Sequence, residues 1–435
     1  MARKTSIGTI KLDYALIASF LTLICVGILT IYSAGGRDDN QHIRQISWAI
    51  TGMVFFILML FVNHHRMGEY AFFIYIAGML LLIVVLLIGK RVRGAKSWIT
   101  VFGGFGFQPS EFVKIAVIIS LARFLDRVGD DIKSLKNVII TLVIAVIPMG
   151  LILLQPDFGT ALVYLPICLV MLFFAGIKYT HLISLLIIFG IAVVLPLLTT
   201  FSKLTHSETF SFLQVLDDTR IVIFIALMFG FLSGVMYVLF RMTKKDLLYK
   251  ASTIFLIFFA GLILAAPLGR FLKSYQKERL VVFLKPSIDP FGSGYNIIQS
   301  KIAVGAGGLF GKGLLGGTQS QLGFLPERST DFIFSIFAEE WGFVGSLALL
   351  AVYSVFIFRG IMIIFEARDR FSCLLAAGIM GMLLFHIIIN IGMTIGIMPI
   401  TGIPLPFLSY GGSFLLTCIV AASLLTNIEM RRYAH

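Results

Sequence analysis

The sequence predicts an all-α polytopic membrane protein, and three observations carry that fold class. Hydrophobic residues make up 58% of the 435 and charged residues only 13%, about half the charged share of a soluble domain. Mean hydropathy is +0.98. The apolar residues also gather into runs close to the ~20 residues a helix needs to cross a hydrocarbon core. With 41 Phe and 12 Pro, a disordered or collagen-like chain is excluded.

Twelve such runs lie near residues 12–33, 45–63, 70–89, 109–124, 138–154, 158–176, 181–199, 221–240, 251–267, 332–358, 372–394 and 407–427. The first follows Lys4 and Lys11 and is too long for a signal-peptide core, so it reads as an uncleaved helix despite Ser33-Ala34-Gly35. The fourth opens on Pro109, which suits a first helical position, and Ser110 can help cap it. Asp157 stands just before the sixth, where a carboxylate caps a helix. Twelve spans bring both termini to one side. With the N-terminus cytoplasmic, the inner loops hold Arg123, Arg127, Lys133 and Lys136, then Arg241, Lys244, Lys245 and Lys250, then Arg359, Arg368 and Arg370, and last Arg431 and Arg432. That agrees with the positive-inside rule.

The bias is shallow because two outer loops are basic. Residues 90–108 carry Lys90, Arg91, Arg93 and Lys96 with no acid, and residues 268–330 carry eight basic residues against Glu278, Asp289 and Glu327. Together they point to an outward-facing anion site near the membrane surface; contact with lipid headgroups accounts for the same composition. In the longer loop Ile297, Ile298 and Ile302 predict a short amphipathic helix against the bilayer, and the glycines after it permit close backbone approach to a ligand. A nucleotide P-loop is excluded: Ala306 stands where its first glycine belongs, and Gly313 follows Gly311-Lys312 where Ser or Thr is required. Asp289, before Pro290, suits a turn. It is also the loop's only aspartate, and a solitary carboxylate beside an anion site suits a general base that activates a hydroxyl.

Several charges fall inside the predicted spans. Glu111 and Lys114 are three residues apart and share a helix face at the outer end of the fourth span. Ionisable residues there pair with each other or face a water-filled cavity; a functional pair and a structural ion pair locking helices both fit. Asp331, Glu339 and Glu340 fall near or inside the tenth span, on roughly its outer half. These acids and Lys114 cluster at one membrane level. The four cysteines each sit in an apolar run without metal-ligand spacing, and His64-His65, in a turn between two spans, is the only adjacent pair among seven histidines.

The stretches FQPSEFVK, LQPDFGTALV, DPFGSGYNIIQS, GTQSQLGFLPERSTDFIFSIFAEEWGFVG and GIPLPFLSYGGSFLL resemble those of the SEDS (shape, elongation, division, sporulation) membrane proteins, over nearly the whole chain. GTQSQL, FLPER and TGIPLPFLSYGGS are more similar to the RodA rod-elongation branch than to the FtsW division branch. The resemblance implies a SEDS-type helical bundle. That family usually has ten spans; here a hairpin over 200–267 is read as an insertion that moves the large outer loop behind the ninth. The expected organisation is one integral membrane domain over 1–435, with an inserted hairpin at 200–267 and an extracytoplasmic catalytic loop at 268–330.

The resemblance further implies a peptidoglycan glycosyltransferase of the bacterial inner membrane, with cytoplasmic termini, polymerising lipid II at the outer face during cell elongation. Asp289 matches the family's loop aspartate and is the expected general base. Glu111 and Lys114 match its buried pair and complete the catalytic set. The expected substrate-binding residues are Arg93, Lys96, Trp98, Gln108, Ser110, Asp157, Arg279, Gln299, Gln319, Glu327, Asp331, Glu339, Ser409 and Tyr410. A divalent cation, Mg²⁺ or Mn²⁺, is the expected cofactor, with no organic cofactor. The implied partners are a class B penicillin-binding transpeptidase, elongation-complex proteins and lipid II itself, with no nucleic acid. A lipid II flippase is the main rival, although a flippase needs charges along the whole crossing. A non-catalytic scaffold for the transpeptidase is the third reading, and it leaves Asp289 and the Glu111–Lys114 pair replaceable.

Overall fold

A computed structural model of the chain describes residues 12–35, 40–92, 95–100, 106–205, 215–271, 282–283, 289–290, 292 and 294–432. The elements run α1 (Tyr14–Gly35), α2 (Gln41–Phe61), α3 (His64–Glu69), α4 (Ala71–Ile88), β1 (Lys90–Val92), β2 (Ala95–Thr100), β3 (Gly106–Phe107), α5 (Pro109–Val128), α6 (Leu135–Leu154), α7 (Phe158–Leu162) and α8 (Tyr164–Phe174). They continue with α9 (Tyr179–Thr205), α10 (Thr219–Thr243), α11 (Asp246–Phe271), α12 (Tyr295–Ala306), α13 (Thr318–Gln321), α14 (Ile333–Glu366), α15 (Arg370–Thr394) and α16 (Gly412–Arg431).

Ten of the described helices are long and apolar enough to cross a membrane: α1, α2, α4, α6, α9, α10, α11, α14, α15 and α16. The two other predicted spans are α5, which carries five charged residues, and the shorter Phe158–Phe174 pair α7–α8. The chain is a multi-pass membrane protein. Between α4 and α5, in the segment read as a basic outer loop, the structure holds a three-stranded antiparallel sheet in the order β1-β2-β3. Its register sets Lys90 opposite Trp98 and Ile99 opposite Phe107.

The chain divides into two units, Met1–Ile177 with Gln299–His435, and Lys178–Ile298. In the second, α9, α10 and α11 pack around Val222, Ala226 and Leu262, with Ile191, Leu195, Phe229 and Phe259 against them. Ser233 and Ser252 tie α10 to α11 reciprocally, each hydroxyl donating to the other residue's carbonyl at 2.9 and 3.0 Å. The segment 200–267, read as a two-helix insertion, thus takes in the end of α9, all of α10 and most of α11.

In the first unit α15 and α16 are the most enclosed spans. Arg359 with Asp13, Arg432 with Glu366 and His64 with Asn427 mark one end of the bundle. Glu111, Asp157, Gln45 and Ser409 mark the other. The longest helix is α14, whose 34 residues would reach ~51 Å at 1.5 Å per residue, well beyond a ~30 Å hydrocarbon core. It is interrupted at Gly342, with φ 67° and ψ −164°. Only glycine takes that backbone without strain, so the piece carrying Glu339 and Glu340 is separate from the spanning piece that follows.

Candidate active site

The end of the first unit that holds α5's N-terminus is lined by polar groups that an apolar bundle would not otherwise contain. Pro109 sets the first turn of α5 and carries Glu111 one residue pair further on. The i,i+3 spacing brings the Lys114 ammonium to 2.8 Å from the Glu111 carboxylate. Both are buried, at 3% and 0% exposure. Lys114 reaches further, to 3.3 Å from Nε2 of His386 on α15, and lies 5.5 Å above the Phe414 ring. His386 Nδ1 faces the Met382 carbonyl at 2.9 Å. A carbonyl only accepts, so the ring proton sits on Nδ1 and Nε2 is the acceptor for Lys114. The result is a continuous carboxylate–ammonium–imidazole chain through the core.

Asp157 joins this region from the α6–α7 connection. It caps α7 by accepting the Thr160 N–H at 3.2 Å, and its other oxygen accepts from the Gln108 amide at 2.9 Å. Burial pushes the Asp157 carboxyl above the ordinary aspartate range, opposed by the Thr160 and Gln108 hydrogen bonds and the Lys114 charge. The Gln108 backbone N–H donates to the Ser413 hydroxyl at 3.0 Å, tying α5 to α16. Tyr164 donates to the Ser110 carbonyl at 3.3 Å, while the Ser110 hydroxyl is buried without a hydrogen-bond partner among the described residues.

A second group surrounds Ser409. Its hydroxyl donates to the Thr330 carbonyl at 2.6 Å and accepts the Leu405 N–H at 2.8 Å, and its carbonyl accepts from Gln45 of α2 at 3.1 Å. The half-buried Tyr410 is fixed by its own N–H to the Ser329 carbonyl at 2.8 Å. Glu327 accepts from the Thr330 hydroxyl at 3.1 Å, and the Asn390 amide donates to the carbonyls of Asp331 and Ile403 at 2.9 and 2.7 Å. The segments around Glu327–Asp331 and Ile403–Tyr410 are therefore held together by backbone and buried amides.

Glu339 sits in a clasp. One carboxylate oxygen accepts from Lys312 Nζ at 2.8 Å, the Thr318 N–H at 2.8 Å, the Thr318 hydroxyl at 3.0 Å and the Gln319 N–H at 3.2 Å. Backbone bonds complete it: Lys312 and Gly313 donate to the carbonyls of Glu339 and Glu340, and Phe343 and Val344 to those of Gly308 and Leu309. The glycines expected to admit a ligand thus approach the break in α14; a Cβ on Gly342 would lie 2.2 Å from the Gly311 nitrogen. Glu340 bonds to Ser33 of α1.

Asp289 lies in the second unit, where its carboxylate accepts the Gly292 N–H at 2.9 Å and its carbonyl the Gly294 N–H at 2.9 Å. That is the turn its position before Pro290 predicts, and it leads straight into α12, the short helix expected from Ile297, Ile298 and Ile302. Gln299 is half-buried on α12. Lys96 donates to the Leu86 and Leu87 carbonyls at 2.7 and 2.9 Å, so its ammonium closes the C-terminus of α4. Trp98, half-buried on β2, covers Gly106 of β3. Arg93 and Arg279 lie outside the described residues. His386, Asn390, Gln45 and Lys312 were not anticipated. For the first two a signal existed: His386 and Asn390 stand four residues apart in LLFHIIINIGM, two polar groups on one face of an apolar helix.

The family model for FtsW, RodA and SpoVE, described as "Cell cycle protein", matches residues 13–234 and 216–434. The chain belongs to this family. Among FtsW/RodA/SpoVE relatives, RodA of Treponema pallidum (strain Nichols), named a peptidoglycan glycosyltransferase, is 41% identical, covering 98% of this chain and 99% of the relative. MrdB of Escherichia coli (strain K12), named likewise, is 35% identical over 99% of this chain and 96% of its own. A solved chain described as "Structural coordination of polymerization and crosslinking by a peptidoglycan synthase complex" superposes with a TM-score of 0.70 at 26% identity, covering 98% of this chain and 99% of that one. Thermus thermophilus RodA, at 24% identity and a TM-score of 0.62, shares the fold over the same extents.

Proposed function

We propose that this FtsW/RodA/SpoVE chain is a peptidoglycan glycosyltransferase that polymerises lipid II into glycan strands during cell elongation. The observation that carries the reading is the full-length relationship to RodA and MrdB, both named peptidoglycan glycosyltransferases, in a chain whose stretches FQPSEFVK and LQPDFGTALV supply the buried Glu111–Lys114 pair and its Asp157 neighbour. In the reaction, Asp289 takes the proton of a sugar 4-hydroxyl as that oxygen attacks the anomeric carbon of the donor. Undecaprenyl diphosphate leaves from the opposite face with the glycosidic electron pair, so the anomeric centre inverts. Lys114 and Arg279 supply positive charge for the departing diphosphate, an electrostatic contribution worth several kcal/mol in a water-poor site. Glu111 holds the Lys114 ammonium in place.

A divalent cation would supply further charge to the diphosphate, but the buried carboxylates Glu111 and Asp157 are a poor fit for one. Glu111 is engaged by Lys114 and Asp157 by Gln108 and Thr160, and every step above uses the chain's own residues. The active site faces outward from the bacterial inner membrane with both termini cytoplasmic, in keeping with Arg359, Arg370, Arg431 and Arg432 at the other end of the first unit. The partner is a class B penicillin-binding transpeptidase within the elongation complex, in keeping with a structural relative described by the coordination of polymerisation and crosslinking.

The test is polymerisation of purified lipid II by the chain with its cognate transpeptidase, the latter blocked by a β-lactam. Wild type is expected to give glycan ladders on a gel and Asp289→Ala none. Equal ladders from both would remove Asp289 as the base. Ladders from neither, with lipid II crossing vesicles, would make the chain a flippase.

A further inference from the structure

At the opposite end of α16 from the active site, three side chains with metal-ligating atoms converge. His64 and His65 open α3, directly after the N-cap Asn63, and Asp369 is the N-cap of α15. Their ligand atoms all lie within 4.8 Å of one another, and among the described residues no other group of three His, Cys, Asp or Glu does so. The two imidazoles are 4.3 Å apart between ring centres, and His65 Nε2 is 3.6 Å from an Asp369 oxygen. Two donors on one tetrahedral Zn²⁺, each at ~2.0–2.2 Å, stand about 3.4 Å apart.

A count of hydrogens around His64 is a second, independent observation. Asn427 turns its amide nitrogen to the carbonyls of Met59, Leu60 and Val62 at 2.8, 3.1 and 2.8 Å, and its oxygen accepts from Arg431 at 3.2 Å. Its amide orientation is therefore fixed. The same oxygen is 2.8 Å from His64 Nδ1, so Nδ1 carries a proton and, in the neutral imidazole, Nε2 presents a lone pair. Nε2 faces the Ser372 hydroxyl at 2.8 Å, and that hydroxyl is also 2.7 Å from Asp369 Oδ1. One hydroxyl proton cannot serve two acceptors. His64 is only 2% exposed, so bulk water does not reach Nε2, whereas the part-exposed Asp369 meets solvent; a cation held between the two would serve both acceptors at once.

We propose that His64 Nε2, His65 Nε2 and Asp369 Oδ1 bind one transition-metal dication of the Zn²⁺ class, with water as the fourth ligand. Two imidazoles and one carboxylate favour such an ion over Mg²⁺ or Ca²⁺, which take oxygen shells. Asn427 is the outer partner that fixes the tautomer of a ligating histidine. Asp369 keeps its cap through Oδ2, which accepts the Ser372 N–H at 2.9 Å. The ion would fasten the turn between α2 and α4 to the start of α15, away from the reacting groups.

The test titrates the untagged full-length chain in detergent with Co²⁺ as a spectroscopic probe. One equivalent is expected to give the intense visible bands of a four-coordinate site, lost on adding Zn²⁺ and unaffected by Mg²⁺. His65 is half-exposed and caps nothing, so His65→Ala should fold and bind Co²⁺ at least about tenfold more weakly. Ser372→Ala, which removes the competing hydroxyl, should keep the bands. Absence of bands in wild type at a large excess of Co²⁺, or equal binding by His65→Ala, would overturn the site. Polymerisation by His65→Ala should equal wild type, so the outcome is independent of the glycosyltransferase reading.

Discussion

Replacing Lys114 with Met keeps most of the side chain's volume and removes the ammonium that sits 2.8 Å from Glu111. Both members are sealed from solvent, so the remaining carboxylate has neither water nor a counter-charge. Breaking a buried pair from one side costs about 3–5 kcal/mol. The lost hydrogen bond to His386 adds about 1 kcal/mol. Lys114→Met should therefore lose a large part of the chain's stability, read as a lowered thermal midpoint in detergent. The double variant Glu111→Gln/Lys114→Met removes both charges and should recover most of that loss, because the charge-burial penalty disappears with the charges. Lipid II polymerisation measured on the same preparations then separates the two readings the sequence leaves open. If the pair only locks helices, the double variant polymerises like wild type; if it serves the reaction, that variant is stable and inactive. A Lys114→Met midpoint equal to wild type would refute the buried-charge reasoning itself.

Two further outcomes follow from neighbouring contacts. Lys96→Met takes an ammonium off the last carbonyls of α4 and should cost about 0.5–1 kcal/mol in the thermal midpoint while leaving the KM for lipid II unchanged; a raised KM would return Lys96 to the substrate. Gly342→Ala forces a left-handed residue and sets a Cβ 2.2 Å from the Gly311 nitrogen, so it should lower stability by at least about 1–3 kcal/mol. Wild-type stability in that variant would mean α14 runs unbroken.

Hydropathy alone placed the spans well: 12–33 became Tyr14–Gly35, 45–63 became Gln41–Phe61, and 372–394 became Arg370–Thr394. It misplaced boundaries where backbone conformation departs from apolar content. The last span, read from 407, begins only at Gly412 because Leu405–Tyr410 is folded around the Ser409 hydroxyl. The tenth, read as one run from 332 to 358, is broken at Gly342, and a single glycine in an apolar stretch gives no sign of that. Glu111 with Lys114 was legible because both lie on one turn of one helix. The pairs made between distant segments were not. Nothing local connects Ser33 to Glu340, Lys312 to Glu339 or Lys114 to His386, since each contact exists only after helices far apart in sequence are packed. Lys96, read as a substrate cation from the charge of its loop, turned out to have carbonyls within reach once the strand β2 folded back along α4.

The clasp on α14 decides where this chain tolerates a label. Inserting an epitope between Gly307 and Thr318 would pull Lys312, Gly313 and Thr318 from the carbonyls and carboxylate they serve, and would leave the amides of Phe343 and Val344 bare at a kink in a membrane helix. A few residues later the situation reverses. Leu322, Gly323 and Phe324 are all exposed, and a short tag spliced at Gly323 would extend the chain without drawing on any of those bonds. Surface labelling of intact cells through that site would report which side of the membrane this end of the bundle occupies.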